Sequence, residues 1–330
     1  MANTVYLETG STDPRYNLAF EEYLLTHRRE GDYLILWQNA SSVIVGRNQN
    51  TVQEVNEPFV RERGISVVRR NTGGGAVYHD LGNLNYSFIC DAEDTEKRTA
   101  QRFTAPVVEA LKALGLDAEA SGRNDILVSG CKVSGTAEQL HQGRVLHHGT
   151  LLFHSDSDTI MKALTPDPLK LQSKGIRSVK SRVGNIRTFL PQPMTLTQFW
   201  DYLKTALSGN GFTPGTVTEE ELNQIRQLKE AKYDTWEWNY GSAPKFQLCC
   251  KDRWDGGILE IHLSVERGLI RDIRIFGDFM ALTACDHLEN ALIGCPYRKD
   301  AIANAIDPIP FSDCLGSITK EEFLQTIIKA

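Results

Sequence analysis

The sequence predicts an α+β protein of two domains, and three observations carry that reading. Short β-prone runs are interspersed with stretches whose apolar residues recur at three-to-four spacing. The turn-rich passage 236–244 lacks a sustained period, and beyond it come three more strand-like runs and two helices. The 330 residues suffice for one large core or two domains. The boundary is placed near Lys245, giving a large domain over 1–245 and a small α/β domain over 246–330.

In chain order, Asp13-Pro14 opens a helix through Leu24, with Asp as the cap and Pro in the first turn, where its missing N–H costs nothing. Strands are predicted at 34–37, 43–45, 65–68 and 86–89. Phe103, Val107, Ala110, Leu111 and Leu114 mark a helix face that Gly115 ends. Strands over 126–128 and 145–153 flank the segment Ser129 to Ala137, which places Lys132 in a loop between them. Leu196, Phe199, Trp200, Leu203 and Leu207 share one helical face, and Thr218 with Glu221 forms a capping box before Leu222, Ile225 and Leu228. In the small domain, strands over 246–251, 258–265 and 269–276 are joined by Gly256-Gly257 and Arg267-Gly268 turns. Helices follow over 281–292 and 319–329.

Composition narrows the function classes. Hydrophobic residues make up 41% of the chain and charged residues 24%, as in ordinary soluble proteins. Asn3, Glu8 and Asp13 interrupt any apolar run at the amino terminus, and no segment has the uninterrupted length that spans a bilayer, so a cytoplasmic protein without membrane partners is expected. The net charge of −6 argues against a general nucleic-acid binder, whose phosphate contacts need a basic surface. Seven cysteines without paired CxxC spacing suggest neither a disulfide frame nor a zinc site.

The run from Arg69 to Asn85 combines two arginines with Gly73-Gly74-Gly75 and a following strand. Glycines expose backbone N–H groups to a close ligand, and a guanidinium supplies a charged fork, so the run suits a carboxylate or a phosphate. Lys132, with Gly130 and Gly135 on either side, could bring an ammonium to charge that develops during acyl or phosphoryl transfer; a solvated surface lysine is the plainer reading. Cys131 beside it has no identifiable base and is not taken as a nucleophile. Asn124 and Asp125 could meet a ribose, an adenine edge or a magnesium ion, or simply form an Asx turn. His79-Asp80 and His147-His148 do not by themselves make a metal site. From Pro168 to Trp200 the chain carries six Lys and Arg residues and no Asp or Glu, which suits a loop closing over a nucleotide phosphate. No GxxxxGK[ST] and no GxGxxG pattern occurs.

Together with Phe20-Glu21-Glu22, Leu36-Trp37-Gln38-Asn39, Val45-Gly46-Arg47, His147-His148-Gly149-Thr150 and Trp236-Glu237-Trp238-Asn239, these motifs closely resemble the bacterial lipoate-protein ligases along nearly the whole chain. The resemblance implies a catalytic domain like those of biotin-protein ligases and class II aminoacyl-tRNA synthetases, followed by a small accessory domain. It implies that lipoate attacks magnesium ATP to give lipoyl-AMP, and that a lysine on a carrier then takes the acyl group. The carriers implied are apo lipoyl domains of 2-oxoacid dehydrogenase E2 subunits and the glycine-cleavage H protein, and the enzyme is expected to be a monomer. Position by position, it implies Lys132 as the catalytic residue. ATP contacts fall to Arg70, Gly75, Ala76, Val77, Tyr78, Asn124, Asp125 and Lys132, with Asp125 as the magnesium ligand. Lipoate contacts fall to Arg70, Gly73, Gly74, Gly75, Lys132, Trp37 and His148, and an adenylate-binding loop to Lys174, Gly175, Ser178, Val179 and Arg182. The alternatives are an ATP-independent octanoyl or lipoyl transferase, disfavoured because no cysteine lies between Cys131 and Cys249, and a noncatalytic ligand-binding protein.

Overall fold

The computed structural model describes residues 4–92, 101–122, 124–164, 183–208, 211–240, 248–266 and 268–328. Its strands in chain order are β1 (Thr4–Glu8), β2 (Asp32–Trp37), β3 (Ser42–Val45), β4 (Ser66–Arg69), β5 (Val77–His79), β6 (Asn83–Asp91), β7 (Ala118–Ser121), β8 (Asp125–Val128), β9 (Cys131–His141), β10 (Arg144–Leu152), β11 (Phe212–Pro214), β12 (Leu248–Trp254), β13 (Gly257–Glu266) and β14 (Leu269–Gly277). Eight of them form one mixed sheet in the order β11-β1-β2-β6-β10-β9-β8-β7. A second sheet, β4-β3-β5, carries the ends of the glycine-rich run.

The large sheet is covered on both faces, and β2, from Tyr33 to Trp37, reads accordingly as a continuous apolar run. Leu34 and Leu36 of β2 face a core shared with the helices Gln101–Ala113 and Leu196–Ala206. The alternate residues Tyr33, Ile35 and Trp37 face the helix Pro14–His27 and, beyond it, Ile225 and Tyr233. The end signals read from the sequence act as expected. Asp13 accepts from Arg15 N, Thr218 and Glu221 make a reciprocal capping box, and Gly115 takes a φ of +82° after the helix Gln101–Ala113.

Three differences from the sequence reading have physical causes. The strands β1, β7, β9 and β11 were not anticipated; β7 and β11 are short pieces at the sheet edges, where few apolar residues are needed. Lys132 is not in a loop. The turn ends at Ser129 and Gly130, both at positive φ, and Lys132 is the second residue of β9. The helix expected from 281 begins only at Asp286, because the amides of Leu282 and Thr283 both donate to Asp313 O at 2.8 Å.

The small C-terminal domain is an antiparallel sheet, β12-β13-β14, with the helices Asp286–Leu292, Lys299–Ile306, Phe311–Leu315 and Lys320–Ile327 over its apolar face. Its residues 277–282 lie across the large domain: Gly277 N donates to Asn48 O at 2.6 Å, Gly74 N to Phe279 O at 3.0 Å, and Leu140 N to Leu282 O at 3.1 Å. The boundary expected near Lys245 and the basic loop with Lys174, Gly175, Ser178, Val179 and Arg182 lie outside the described residues. No helix among the described residues is long and apolar enough to cross a membrane.

Candidate active site

A cavity opens between the two sheets of the large domain. One wall is the glycine loop and β5, from Gly74 to Val77 and on to His79; the other is built from β9 and β10 by Lys132, Gly135, Thr136, Ala137, His148, Gly149 and Thr150. Trp37, Leu18 and Ile44 make its apolar end. Its mix of an apolar end with a few convergent polar groups suits a small ligand with an apolar body and a charged head.

Lys132 owes its position to an irregularity in strand pairing. Opposite β8, Leu127 pairs with Lys132 and Ile126 with Ser134, so Val133 is an extra residue on β9. This bulge brings Lys132 and Gly135 to one face together with Asp125, the cross-strand partner of Gly135. The Lys132 ammonium lies 2.7 Å from Asp125 Oδ1, and a Cβ at position 135 would sit 3.4 Å from Lys132 Nζ. Both side chains are about one-third exposed, so the pair is held at the cavity edge and not sealed within the core. Asn124 lines the cavity beside them, its carbonyl accepting from Thr136 N at 2.8 Å. The basic segment returns here too, since Val183 bridges Lys132 and Gly184 N donates to Lys132 O.

The glycine loop is shaped from inside by the two arginines. Arg70 is buried, and its guanidinium donates to Thr72 Oγ1, Ile44 O, Gly73 O and Gly75 O at 2.6–3.1 Å. Burial pushes its pKa down to about 10, with the nearby Glu21 carboxylate working the other way, so it stays charged at neutral pH. Arg69, also buried, donates to Gly46 O, Arg47 O and Gln49 O, to Thr51 Oγ1, and to Trp238 O and Asn239 O. The Trp236–Asn239 helix therefore serves as a mount for Arg69.

Behind the cavity a second carboxylate orders the polar groups. Glu21 is 2% exposed and faces His148 Nδ1 at 3.1 and 3.2 Å. Since a carboxylate only accepts, the network assigns the proton to Nδ1; Nε2 then accepts from Thr72 Oγ1 at 2.8 Å, and that oxygen accepts from Arg70 Nε at 2.9 Å. On its other side Glu21 accepts from Ser87 Oγ, which accepts from Trp37 Nε1 at 2.8 Å. One buried carboxylate thus reaches three walls of the cavity.

Of the residues singled out in the sequence, Trp37, Arg70, Gly74, Gly75, Ala76, Val77, Asn124, Lys132 and His148 line the cavity. Gly73 does not; it packs against Phe279 and Ala281 of the small domain, where a Cβ would meet Ala281 N at 2.6 Å. Tyr78 points its ring into the cluster of Val43 and Val45, and Asp125 reaches the site through Lys132. Cys131 lies outside the cavity wall. His79, weighed in the sequence only as a metal ligand, lines the cavity as well, and so do Thr136 and Thr150, which were not singled out. His79 accepts from Asn39 at Nδ1, its Nε2 has no hydrogen-bond partner among the described residues, and burial, helped by the Arg70 charge, lowers its pKa to about 3.

Residues 13–208 match the model of the lipoyl protein ligase A/B catalytic domain, and residues 243–327 match the bacterial lipoate protein ligase C-terminus. The chain belongs to the lipoate-protein ligase family. This ligase is 44% identical to lipoate-protein ligase LplJ of Bacillus subtilis over 96% of its own length and 97% of that protein. Among solved structures it is similar to P. falciparum LipL1 in complex with lipoate, with a TM-score of 0.79, 25% identity and coverage of 99% and 98% of the two chains. Lipoate-protein ligase A bound with ATP matches with a TM-score of 0.61 and 31% identity, over 72% of this ligase and 98% of that chain.

Proposed function

We propose that the cavity between the glycine loop and β9 is where lipoate and ATP react, with Lys132 as the catalytic residue, and that the chain divides into a catalytic domain over 1–245 and an accessory domain over 246–330. The observation that carries this reading is the Lys132–Asp125 pair at 2.7 Å on the cavity edge, set there by the β9 bulge. The lipoyl chain lies toward Leu18, Trp37 and Ile44, and its carboxylate toward Lys132 and the loop Gly74–Val77. Attack of that carboxylate on the α-phosphate forms the acyl–phosphate bond and breaks the bond to pyrophosphate. The Lys132 ammonium offsets the negative charge that gathers on the reacting oxygens, a role for which one preorganised donor contributes on the order of 3 kcal/mol. In the second half, the amine of a carrier lysine attacks the acyl carbon and AMP leaves.

Asp125 is a hard oxygen donor suited to magnesium, an ion held in nucleotide sites by one or two carboxylates plus substrate phosphates. Magnesium would supply charge neutralisation to the phosphates there. Asn124 and the backbone of Gly75, Ala76, Val77 and Tyr78 meet the nucleotide, and Lys174, Gly175, Ser178, Val179 and Arg182 bind the adenylate. The carriers are apo lipoyl domains of E2 subunits and the H protein, and the enzyme works as a cytoplasmic monomer.

The test is direct: incubation with lipoate and magnesium ATP, without a carrier, followed by native mass spectrometry. A bound lipoyl-AMP mass that disappears in Lys132→Ala supports the reading. Lipoyl transfer to a carrier without ATP would instead favour an acyltransferase.

A further inference from the structure

The small domain carries a side-chain constellation that the ligase reaction does not use. On the face of its sheet away from the helices, Cys249 of β12 is the direct cross-strand partner of His262 on β13, and Glu260 lies two residues before His262 on the same face. Glu260 Oε1 is 2.5 Å from His262 Nε2 and 4.0 Å from Cys249 Sγ, and the three donor atoms lie within 4.8 Å of one another. The centre of such a triangle is at most roughly 2.4 Å from each corner, against the ~2.0–2.3 Å of bonds from zinc to nitrogen, oxygen and sulfur.

We propose that Cys249, Glu260 and His262 form a binding site for a divalent transition metal of the zinc class, with three protein ligands and one position open to solvent.

The donor set selects the ion. A thiolate and an imidazole suit zinc or cobalt and do not suit magnesium or calcium, which take oxygen. The surroundings orient the ligands as metal sites require. Lys251 Nζ holds the other carboxylate oxygen, Oε2, at 3.0 Å, so Oε1 is the one turned to His262 and Cys249. The imidazole stands edge-on to Phe276, 5.0 Å between centroids, which restrains its rotation. Glu260 is buried and Cys249 exposed, so the carboxylate forms the floor and the thiol the mouth. Binding displaces the thiol proton of Cys249 and replaces the His262–Glu260 hydrogen bond with two metal bonds. Cysteine spacing could not show this site, because its ligands meet only when β12 and β13 pair.

The experiment is titration of the full-length protein with Co2+ at neutral pH, followed by absorption spectroscopy. The expected result is a single equivalent bound, with a thiolate-to-cobalt charge-transfer band and the ligand-field bands of a tetrahedral ion, lost on adding Zn2+ and unaffected by Mg2+. Cys249→Ser should remove the charge-transfer band, and His262→Ala should remove stoichiometric binding even if Cys249→Ser fails to fold. Lys251→Met should weaken binding by roughly 10- to 100-fold while keeping the bands. No bands on the unsubstituted protein, or bands that persist in both Cys249→Ser and His262→Ala, would overturn the assignment; persistence would point to the partly exposed Cys131 or Cys295 instead.

Discussion

The carboxylate of Glu21 and the imidazole of His148, 127 residues apart in the chain, meet behind the cavity wall at 3.1 and 3.2 Å. The contact joins the first helix to β10 and sets the direction of every hydrogen bond from there through Thr72 to Arg70. Glu21→Gln keeps the shape but offers His148 either a donor or a weaker acceptor. It is expected to cost about 1–3 kcal/mol in urea unfolding, the range for a buried charge-assisted hydrogen bond. Steady-state kinetics should show the KM for lipoate rising roughly tenfold with the KM for ATP little changed.

Arg69 makes its contacts almost entirely with carbonyl oxygens of 46–49 and 238–239. Lysine cannot reproduce that fork, and its substitution leaves several buried acceptors unpaired. Arg69→Lys should lower stability by at least about 3 kcal/mol in a denaturant titration. Stability within about 0.5 kcal/mol of the native chain, the range of an ordinary surface change, would remove the mounting role given to this arginine.

Gly46 lies where no side chain fits, since a Cβ there would stand 1.9 Å from Gly74 O and 3.3 Å from the Arg70 guanidinium. Gly46→Ala must push the glycine loop outward. A displacement of about 1 Å at a reacting group costs roughly a hundredfold in rate. Single-turnover formation of lipoyl-AMP should fall by that order, while far-ultraviolet circular dichroism stays native.

His79 gives the acid side of the stability curve a definite sign. Its ordinary pKa of 6.5 falls to about 3 in the fold, chiefly through burial. Between these values the unfolded chain binds a proton that the native chain refuses, so stability drops as pH falls through that window. The loss is on the order of a few kcal/mol by pH 3. His79→Gln should flatten the curve of unfolding free energy between pH 6.5 and 3, and an unchanged slope would mean that His79 does not titrate as its burial requires.

Much of this architecture is legible in residue patterns, and the reasons for the rest are specific. Helix ends were readable because Asp13, Gly115 and Thr218 act locally through caps and φ. The loop of glycines could be read from residue type, whereas residue type left Lys132 open between a ligand contact and a solvated lysine. The strand β9 could not be read, because Ser134, Thr136 and Gln139 are polar residues that only the tertiary fold buries, so its sequence lacks an apolar alternation. Neither could the bulge at Val133, which leaves no mark in composition yet decides the face on which Lys132 stands. Arg69 and Arg70 look alike in sequence; only the fold shows Arg69 fastening the 46–51 turn and Arg70 lining the cavity. Glu21 reads as one more polar residue of an amphipathic helix until His148 is placed against it.

The central claim is that the Lys132 ammonium, positioned by the β9 bulge against Asp125, carries the activation of lipoate. The most direct measurement is lipoate-dependent release of pyrophosphate from ATP by Lys132→Ala beside the unsubstituted enzyme, with matched unfolding curves. The account predicts a loss of roughly 10²–10³-fold in the rate, as for removal of one preorganised donor, and no loss of stability beyond about 1 kcal/mol, as for an exposed ion pair. A folded Lys132→Ala protein that releases pyrophosphate at the unsubstituted rate would contradict it.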